Sequence, residues 1–437
     1  MDLDELAKRA TAGDMLALGE LTNIYSCMDV DALTKRAEGG DVFAFNDLAE
    51  VYYKGRGVPQ DFEKAEFWIR KSADMGNPVG LNNLGLMYRR GEFVAKDVGQ
   101  AEKLFKKAAE HELPEAFENL GDIFYFGEGV SQDFEGAFNY YSQAVEVGSA
   151  GGQKKLAELF HLGKGVDQDL EKAGYWYQQA AEQGEENAQC SLGLMYQRGE
   201  GLERDLDQAE YWYLQAAEQG LDQAFVNLGF LYNGDEEAKR DIQKAAYWFN
   251  QAAEQGNAMA QFNLAAIYLD NGEGPEGLAE ATKWFTASAE NGNVRAQLHL
   301  GQIYEGGRGG SPNAEQALHW YQMAADHGSS DAQCNLGVVY ISGQIVEQDF
   351  SEGLRWLQKA IDQNNLYAIT ALGELFEGGL GVPQDNSQAV HWFQTAADQG
   401  FSQAQYKLGA MYNNGAGVDQ SNTQALAWLQ KSADQGH

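Results

Sequence analysis

The residues of this chain that could do chemistry are dispersed. Its seven histidines are His111, His161, His299, His319, His327, His391 and His437. None falls in the His-Glu-x-x-His spacing that would set two imidazoles on one helix face around a zinc ion. The three cysteines, Cys27, Cys190 and Cys334, form no Cys-x-x-Cys pair and no disulfide framework, which favours a reducing compartment. Glycine-rich stretches such as Gly127-Glu128-Gly129 and Gly163-Lys164-Gly165 have the look of phosphate cradles. Each runs into an acidic helix start, Asp133 or Asp169, that would repel an anion. Turn formation explains them better. Carboxylates are so abundant that no pair can be singled out as an acid/base couple. The sequence therefore offers no catalytic, cofactor-binding or metal-ligating residue, and the expectation is a protein that is not an enzyme.

Charge narrows the partners. The 437 residues include 65 Asp and Glu against 31 Lys and Arg, a formal charge of −34, the opposite of what phosphate neutralisation on nucleic acid requires. The acidity is even, with 40 acids and 21 bases in residues 1–218 and 25 and 10 in residues 219–437. Such a surface favours solubility and a partner with a basic face. The 44% apolar content excludes disorder. The opening Met1-Asp2-Leu3-Asp4-Glu5 lacks the positive flank and apolar run of a signal peptide. No stretch approaches the roughly 18 apolar residues of a membrane span. A cytoplasmic location without membrane insertion is expected.

Self-similarity decides the architecture that must carry these residues. An anchor leucine recurs every 36 residues at Leu48, Leu84, Leu120, Leu156, Leu192, Leu228, Leu264, Leu300, Leu336, Leu372 and Leu408. Four residues after each stands an aromatic ring, from Tyr52 and Tyr88 through to Tyr412. All nine tryptophans share a second register, at Trp68, Trp176, Trp212, Trp248, Trp284, Trp320, Trp356, Trp392 and Trp428, with Leu104 and Tyr140 in the two remaining places. His319 and His391 each precede such a tryptophan, so they occupy a repeat position and not a site.

One unit, residues 41–76, reads as two helices. Ala44, Leu48, Val51 and Tyr52 lie on one face of a first helix, A. Gly55-Arg56-Gly57-Val58 breaks it, because glycine takes the left-handed conformation at little cost. Asp61 then caps a second helix, B. In the other ten units the cap position holds aspartate seven times, and otherwise Gly277, Asn313 and Ser421. Ala65, Trp68 and Ala73 form the inner face of B. If the tryptophan is the buried filler, Trp248→Ala would cost roughly 3–5 kcal/mol. The six prolines stand in loops (Pro59, Pro275, Pro312, Pro383) or near helix starts (Pro78, Pro114).

These residues resemble the Sel-1-like repeat (SLR), a relative of the tetratricopeptide repeat. Ala188, Leu192-Gly193, Tyr196, Gly199, Gly201, Asp205, Ala209, Trp212, Ala216-Ala217 and Gly220 follow its pattern nearly whole. Departures are Phe93 for the second loop glycine, Asp235 for the first in its unit, and Gly353 for the helix B alanine. The fold class is thus all-α: a right-handed superhelical α-solenoid of eleven 36-residue helix-turn-helix repeats, residues 41–76, 77–112, 113–148, 149–184, 185–220, 221–256, 257–292, 293–328, 329–364, 365–400 and 401–436. Residues 1–40 read as a degenerate cap in which Leu21 and Tyr25 match the anchor pair. The Ala-Glu-Gln-Gly unit endings have a bacterial look. Some secreted, cysteine-rich relatives are linked to β-lactam chemistry, but the Ser-x-x-Lys of an acylating serine does not occur in this sequence.

The resemblance implies a scaffold or adaptor that binds protein partners, without a cofactor. By analogy with tetratricopeptide arrays, helix A lines a concave groove, with the residues two before, two after and five after each anchor facing inward. Early units place mainly polar and charged groups there: Asn46, Glu50, Tyr53, Asn82, Leu86, Arg89, Glu118, Asp122, Tyr125, Lys154, Glu158 and His161. Later units place apolar ones, Val226, Phe230, Phe262, Leu269, Leu298, Val338 and Ile341, with Cys190, Leu194 and Cys334 alongside. Either these form a groove for a partner segment such as an amphipathic helix, or they are buried where neighbouring repeats pack. Two other roles fit the family: an immunity protein that neutralises a toxic effector, and, more remotely, an envelope protein that binds or hydrolyses glycan.

Overall fold

A computed structural model describes residues 30–234, 239–271, 274–307 and 312–436, and among them every regular element is a helix. Two compact units divide the chain between Leu221 and Asp222. In the first unit, α1 (Val30–Glu38) precedes five A/B pairs: α2 (Val42–Lys54) with α3 (Phe62–Asp74), α4 (Pro78–Arg90) with α5 (Val98–Ala109), α6 (Pro114–Phe126) with α7 (Phe134–Glu146), α8 (Ala150–Leu162) with α9 (Leu170–Glu182), and α10 (Glu186–Arg198) with α11 (Leu206–Glu218). The second unit has six: α12 (Asp222–Asn233) with α13 (Ile242–Glu254), α14 (Ala258–Asn271) with α15 (Gly274–Glu290), α16 (Val294–Glu305) with α17 (Ala314–Asp326), α18 (Ser330–Ser342) with α19 (Phe350–Asp362), α20 (Leu366–Gly378) with α21 (Asn386–Ala397), and α22 (Ser402–Asn414) with α23 (Asn422–Ala433). Each unit is an α-solenoid stack of helix pairs. Leu21, Tyr25 and Cys27 of the expected cap, and Asp235, lie outside the described residues.

The local signals work as their chemistry requires. Asp61 Oδ1 accepts from the Lys64 amide at 3.0 Å, and Asn313 and Ser421 accept in the same way from Gln316 and Gln424, so the first turn of helix B is satisfied. Gly277 is not a cap: α15 begins three residues earlier, at Gly274. Pro275 falls in its first turn, where a fixed φ and a missing N–H cost nothing. Phe93 keeps the left-handed backbone of the glycine it replaces, at φ 62°. Its ring stacks 4.7 Å from Phe62, a contact that offsets a conformational cost of about 1–2 kcal/mol.

The space between A and B is filled differently from the sequence expectation. Trp320 and Trp356 are buried, but the other seven tryptophans are only half-buried. The fully enclosed ring is the next residue, as in Phe105, Tyr213, Phe249, Phe285, Tyr321 and Phe393. Except for Phe285, whose unit has Ala265 there, it packs against the glycine that follows the anchor leucine. A Cβ on Gly229 would stand 2.5 Å from the Phe249 ring, and one on Gly301 2.3 Å from Tyr321. Leucine, glycine and ring are therefore one packing unit.

Neighbouring repeats are also joined by a polar ladder. A buried glutamine three residues before the anchor donates to a helix B carbonyl, as Gln189 does to Ala181 O at 3.2 Å. It accepts from the residue ending the following B helix, as from Gln219 at 2.9 Å. Gln261 with Asn291, Gln333 with Gln363 and Gln405 with Gln435 repeat the arrangement at 2.8–3.0 Å. Fully paired amides of this kind fix register without leaving a buried group unsatisfied.

Candidate functional site

In the first unit, several helix A positions expected to face a ligand are paired with polar neighbours. Arg89 on α4 grips Glu128 with two bonds, 3.0 and 2.9 Å, and reaches Asp122 at 3.4 Å and Asn119 at 3.3 Å. Asp122 on α6 also accepts from Lys155 at 2.6 Å and from the Tyr141 hydroxyl at 2.8 Å. Burial works against the Arg89 charge, but Glu128 and Asp122 outweigh it and hold the guanidinium protonated above its usual range. Burial and then Asp122 push the Tyr141 phenol far up, so it stays a neutral donor. Glu118 is lifted above the usual carboxylate range by burial, against a hydrogen bond from Ser149. Asn46, Glu50, Tyr53 and Leu86 share a cleft of about 460 Å³, and Glu50 there is paired with Lys54 and Arg56.

The second unit differs. Phe230 on α12 is 37% exposed with its ring 5.3 Å from Phe249, and Val338 on α18 is 44% exposed. Val338 and Ile341 line one cleft of about 410 Å³ with Glu374, Leu375 and Leu380. Gly353 makes room for Ile341, since a Cβ there would sit 2.5 Å from the isoleucine Cγ1. The departure from alanine in helix B thus seats a residue of the expected groove. Phe262 is half-buried against Phe285 at 5.6 Å, with the Arg295 guanidinium 5.1 Å over its ring and His299 5.6 Å away. Desolvation, then Arg295, lowers the His299 pKa, so this imidazole is a neutral packing group. Leu269 and Leu298 are half-buried against the core clusters of their repeats.

Val226 is 2% exposed, so it belongs to the packing between repeats and cannot meet a ligand. Cys190 and Cys334, at the same register, are buried as well. Thr370 at this register is buried too, whereas Phe262 and Leu298 are half-buried. Sequence reasoning could not separate packing from exposure at this position, because both use the same residue types. Burial pushes the Cys334 thiol up to about 12. Iodoacetamide at pH 8 is therefore expected to leave Cys334 unmodified in the folded chain and to alkylate it in urea, as read by peptide mass spectrometry. Labelling at the unfolded rate would contradict the burial.

No group of three or more His, Cys, Asp and Glu among the described residues could hold a metal ion, and no described helix is long and apolar enough to cross a membrane. The family model of the Sel1 repeat matches the chain eleven times, over residues 44–77, 78–112, 114–149, 150–185, 187–221, 226–257, 258–293, 294–329, 330–365, 366–401 and 402–437. The chain is a Sel1 repeat protein. Among solved structures, this Sel1 repeat protein is similar to c5321, described as a protective antigen of uropathogenic Escherichia coli with an SLR fold. The two are 35% identical, the match covers 93% of this chain and 87% of that one, and the TM-score is 0.72. A Sel1 repeat protein from Oxalobacter formigenes is 30% identical over 77% of this chain and 87% of that one, with a TM-score of 0.40. Immunity protein PA5088 from Pseudomonas aeruginosa is 19% identical over 47% of this chain and 81% of that one, with a TM-score of 0.36. Among curated proteins, none matches.

Proposed function

We propose that this Sel1 repeat protein is a non-catalytic scaffold that binds a protein segment along the helix A face of its second unit. The observation that carries this reading is the contrast between units. At the helix A position two after the anchor, the first unit holds the ion-paired Glu50, Asp122 and Glu158 beside Leu86 and Leu194. The second unit holds the apolar Phe230 and Val338, both open to solvent. Exposed apolar groups in register along a stack are costly in water unless a partner covers them. An amphipathic helix presenting apolar residues at three- and four-residue spacing would suit them, and the acidic surface favours basic residues on its flanks.

The test is a pair of surface variants. Phe230→Asp together with Val338→Asp is expected to reduce capture of the native partner by at least about 100-fold, as loss of two anchoring side chains, with far-UV circular dichroism unchanged. Phe262 is less suited to this purpose because it is half-buried among Phe285, His299 and Arg295, whereas Phe230 is exposed. Capture that persists in 0.5 M salt and is lost in the variant supports the apolar face. Capture that survives the variant would refute it.

A further inference from the structure

Trp320 is set apart by what it lacks. Its side chain is 6% exposed, and its indole Nε1 is buried without a hydrogen-bond partner. The next repeat shows what that environment holds when complete. There Glu352 accepts from Trp356 Nε1 at 2.8 Å and pairs with Arg355. The Arg355 guanidinium lies 4.7 Å and the Lys359 ammonium 3.8 Å from the ring centroid. Glu352 first, and Asp326 among the lesser contributors, raise the pKa of Arg355. One repeat earlier the counterparts of Glu352, Arg355 and Lys359 are Gln316, His319 and Met323. The acceptor has become an amide and both permanent cations are gone. The acid is kept, as Glu290 for Asp326, and Glu315 is added where the next repeat has Ser351.

A cleft of about 750 Å³ stands where those cations would be, lined by Glu290, Glu315, Gln316, His319, Trp320 and Met323. We propose that it receives an arginine side chain from a partner protein. The guanidinium takes over Trp320 the position that Arg355 and Lys359 hold over Trp356, Glu290 and Glu315 balance its charge, and an acceptor of the same segment completes the indole N–H. Arginine suits the cleft better than lysine because its plane stacks on the indole while its edge reaches two carboxylates. Gln316 and Met323 are long and unbranched, so they can move aside for it. Trp392 also has an unpaired indole N–H, but its counterparts of Glu290 and Glu315 are Asp362 and Ser387, so one of the two flanking carboxylates is missing. None of the seven groove residues lines the Trp320 cleft, and the inference stands whether or not the helix A face binds a partner.

The test uses the full-length chain labelled with nitrogen-15, with the Trp320 indole resonance assigned through Trp320→Phe. The probe is acetyl-Gly-Arg-Gly amide at low ionic strength, and its citrulline counterpart, equal in shape and uncharged, is the control. The arginine peptide is expected to move the Trp320 resonance saturably and leave the other eight indoles still, and the citrulline peptide to move none. Glu290→Gln with Glu315→Gln is expected to weaken binding by roughly tenfold. Met323→Lys, which supplies an ammonium as Lys359 does, is expected to abolish it while the circular dichroism spectrum is kept. No movement, equal movement with citrulline, uniform movement of all nine indoles, or binding undiminished in Met323→Lys would overturn the proposal. Arg308 lies outside the described residues, so Arg308→Gln is titrated too. Binding that appears only in that variant would mean an occupant from the chain itself and would equally overturn it.

Discussion

Phe249→Ala is expected to destabilise the second unit by about 3–5 kcal/mol, whereas Trp248→Ala, one residue earlier, should cost only roughly 1–3 kcal/mol. Tryptophan is the larger side chain, so size alone predicts the reverse. What decides the order is enclosure. Phe249 is fully buried against Gly229, and Phe230 leans on it at 5.3 Å. Trp248 is half-buried, stacked on Phe225 at 5.9 Å and edge-on to Tyr247 at 4.9 Å, and part of its ring already meets water. Removing Phe249 leaves a cavity that the rigid helix backbones cannot close. Urea unfolding followed by circular dichroism measures both costs; equal values, or a larger cost at Trp248, would contradict the packing described.

Asp122→Ala should cost the first unit about 2–4 kcal/mol, well above the 1 kcal/mol or less expected for removing an exposed partner such as Glu50. The carboxylate is the meeting point of Lys155, Arg89 and the Tyr141 hydroxyl. Without it, a lysine loses its counter-ion, and a buried phenol loses its acceptor. Arg89 retains Glu128, which limits the loss. The same urea titration, run at low and high salt, separates the two kinds of pair: the Asp122 effect should persist in salt, and the Glu50 effect should fade. A cost below 1 kcal/mol at Asp122 would show that this network adds nothing to the fold.

Much of the architecture is legible without coordinates because repetition averages away local ambiguity. A single leucine followed four residues later by Tyr or Phe is weak evidence for a helix, but eleven copies at constant spacing admit few alternatives, and caps such as Asp61 and Asn313 mark boundaries with their own chemistry. The errors came where one residue type can serve two environments. Tryptophan at a constant register reads as core, yet the smaller ring beside it occupies the core and most tryptophans cover its edge. Gly277 reads as a cap because glycine is accepted there, while Pro275 allows the helix to begin earlier. The glutamine ladder is not legible in the sequence because buried and exposed glutamines look alike there.

The candidate face was legible in composition and only partly in placement. Phe230, Val338 and Ile341 line open surface or a cleft, whereas Val226 is buried and Phe262 is shared between core and surface. Positions two before and two after an anchor lie only about 40° apart around the helix, so helical phase does not separate Val226 from Phe230, and what packs against each decides its burial. The self-pairing of the first unit could not have been foreseen either, since Arg89 and Glu128 are 39 residues apart.

Hydrogen exchange on the complex with the native partner bears most directly on a protein-binding role for the second unit. Protection relative to the free chain is predicted for the solvent-facing amides of α12, α14 and α18, which carry Phe230, Phe262, Val338 and Ile341, with those of the first unit unchanged. Protection confined to the first unit, or a partner recovered cleaved or chemically altered, would contradict it.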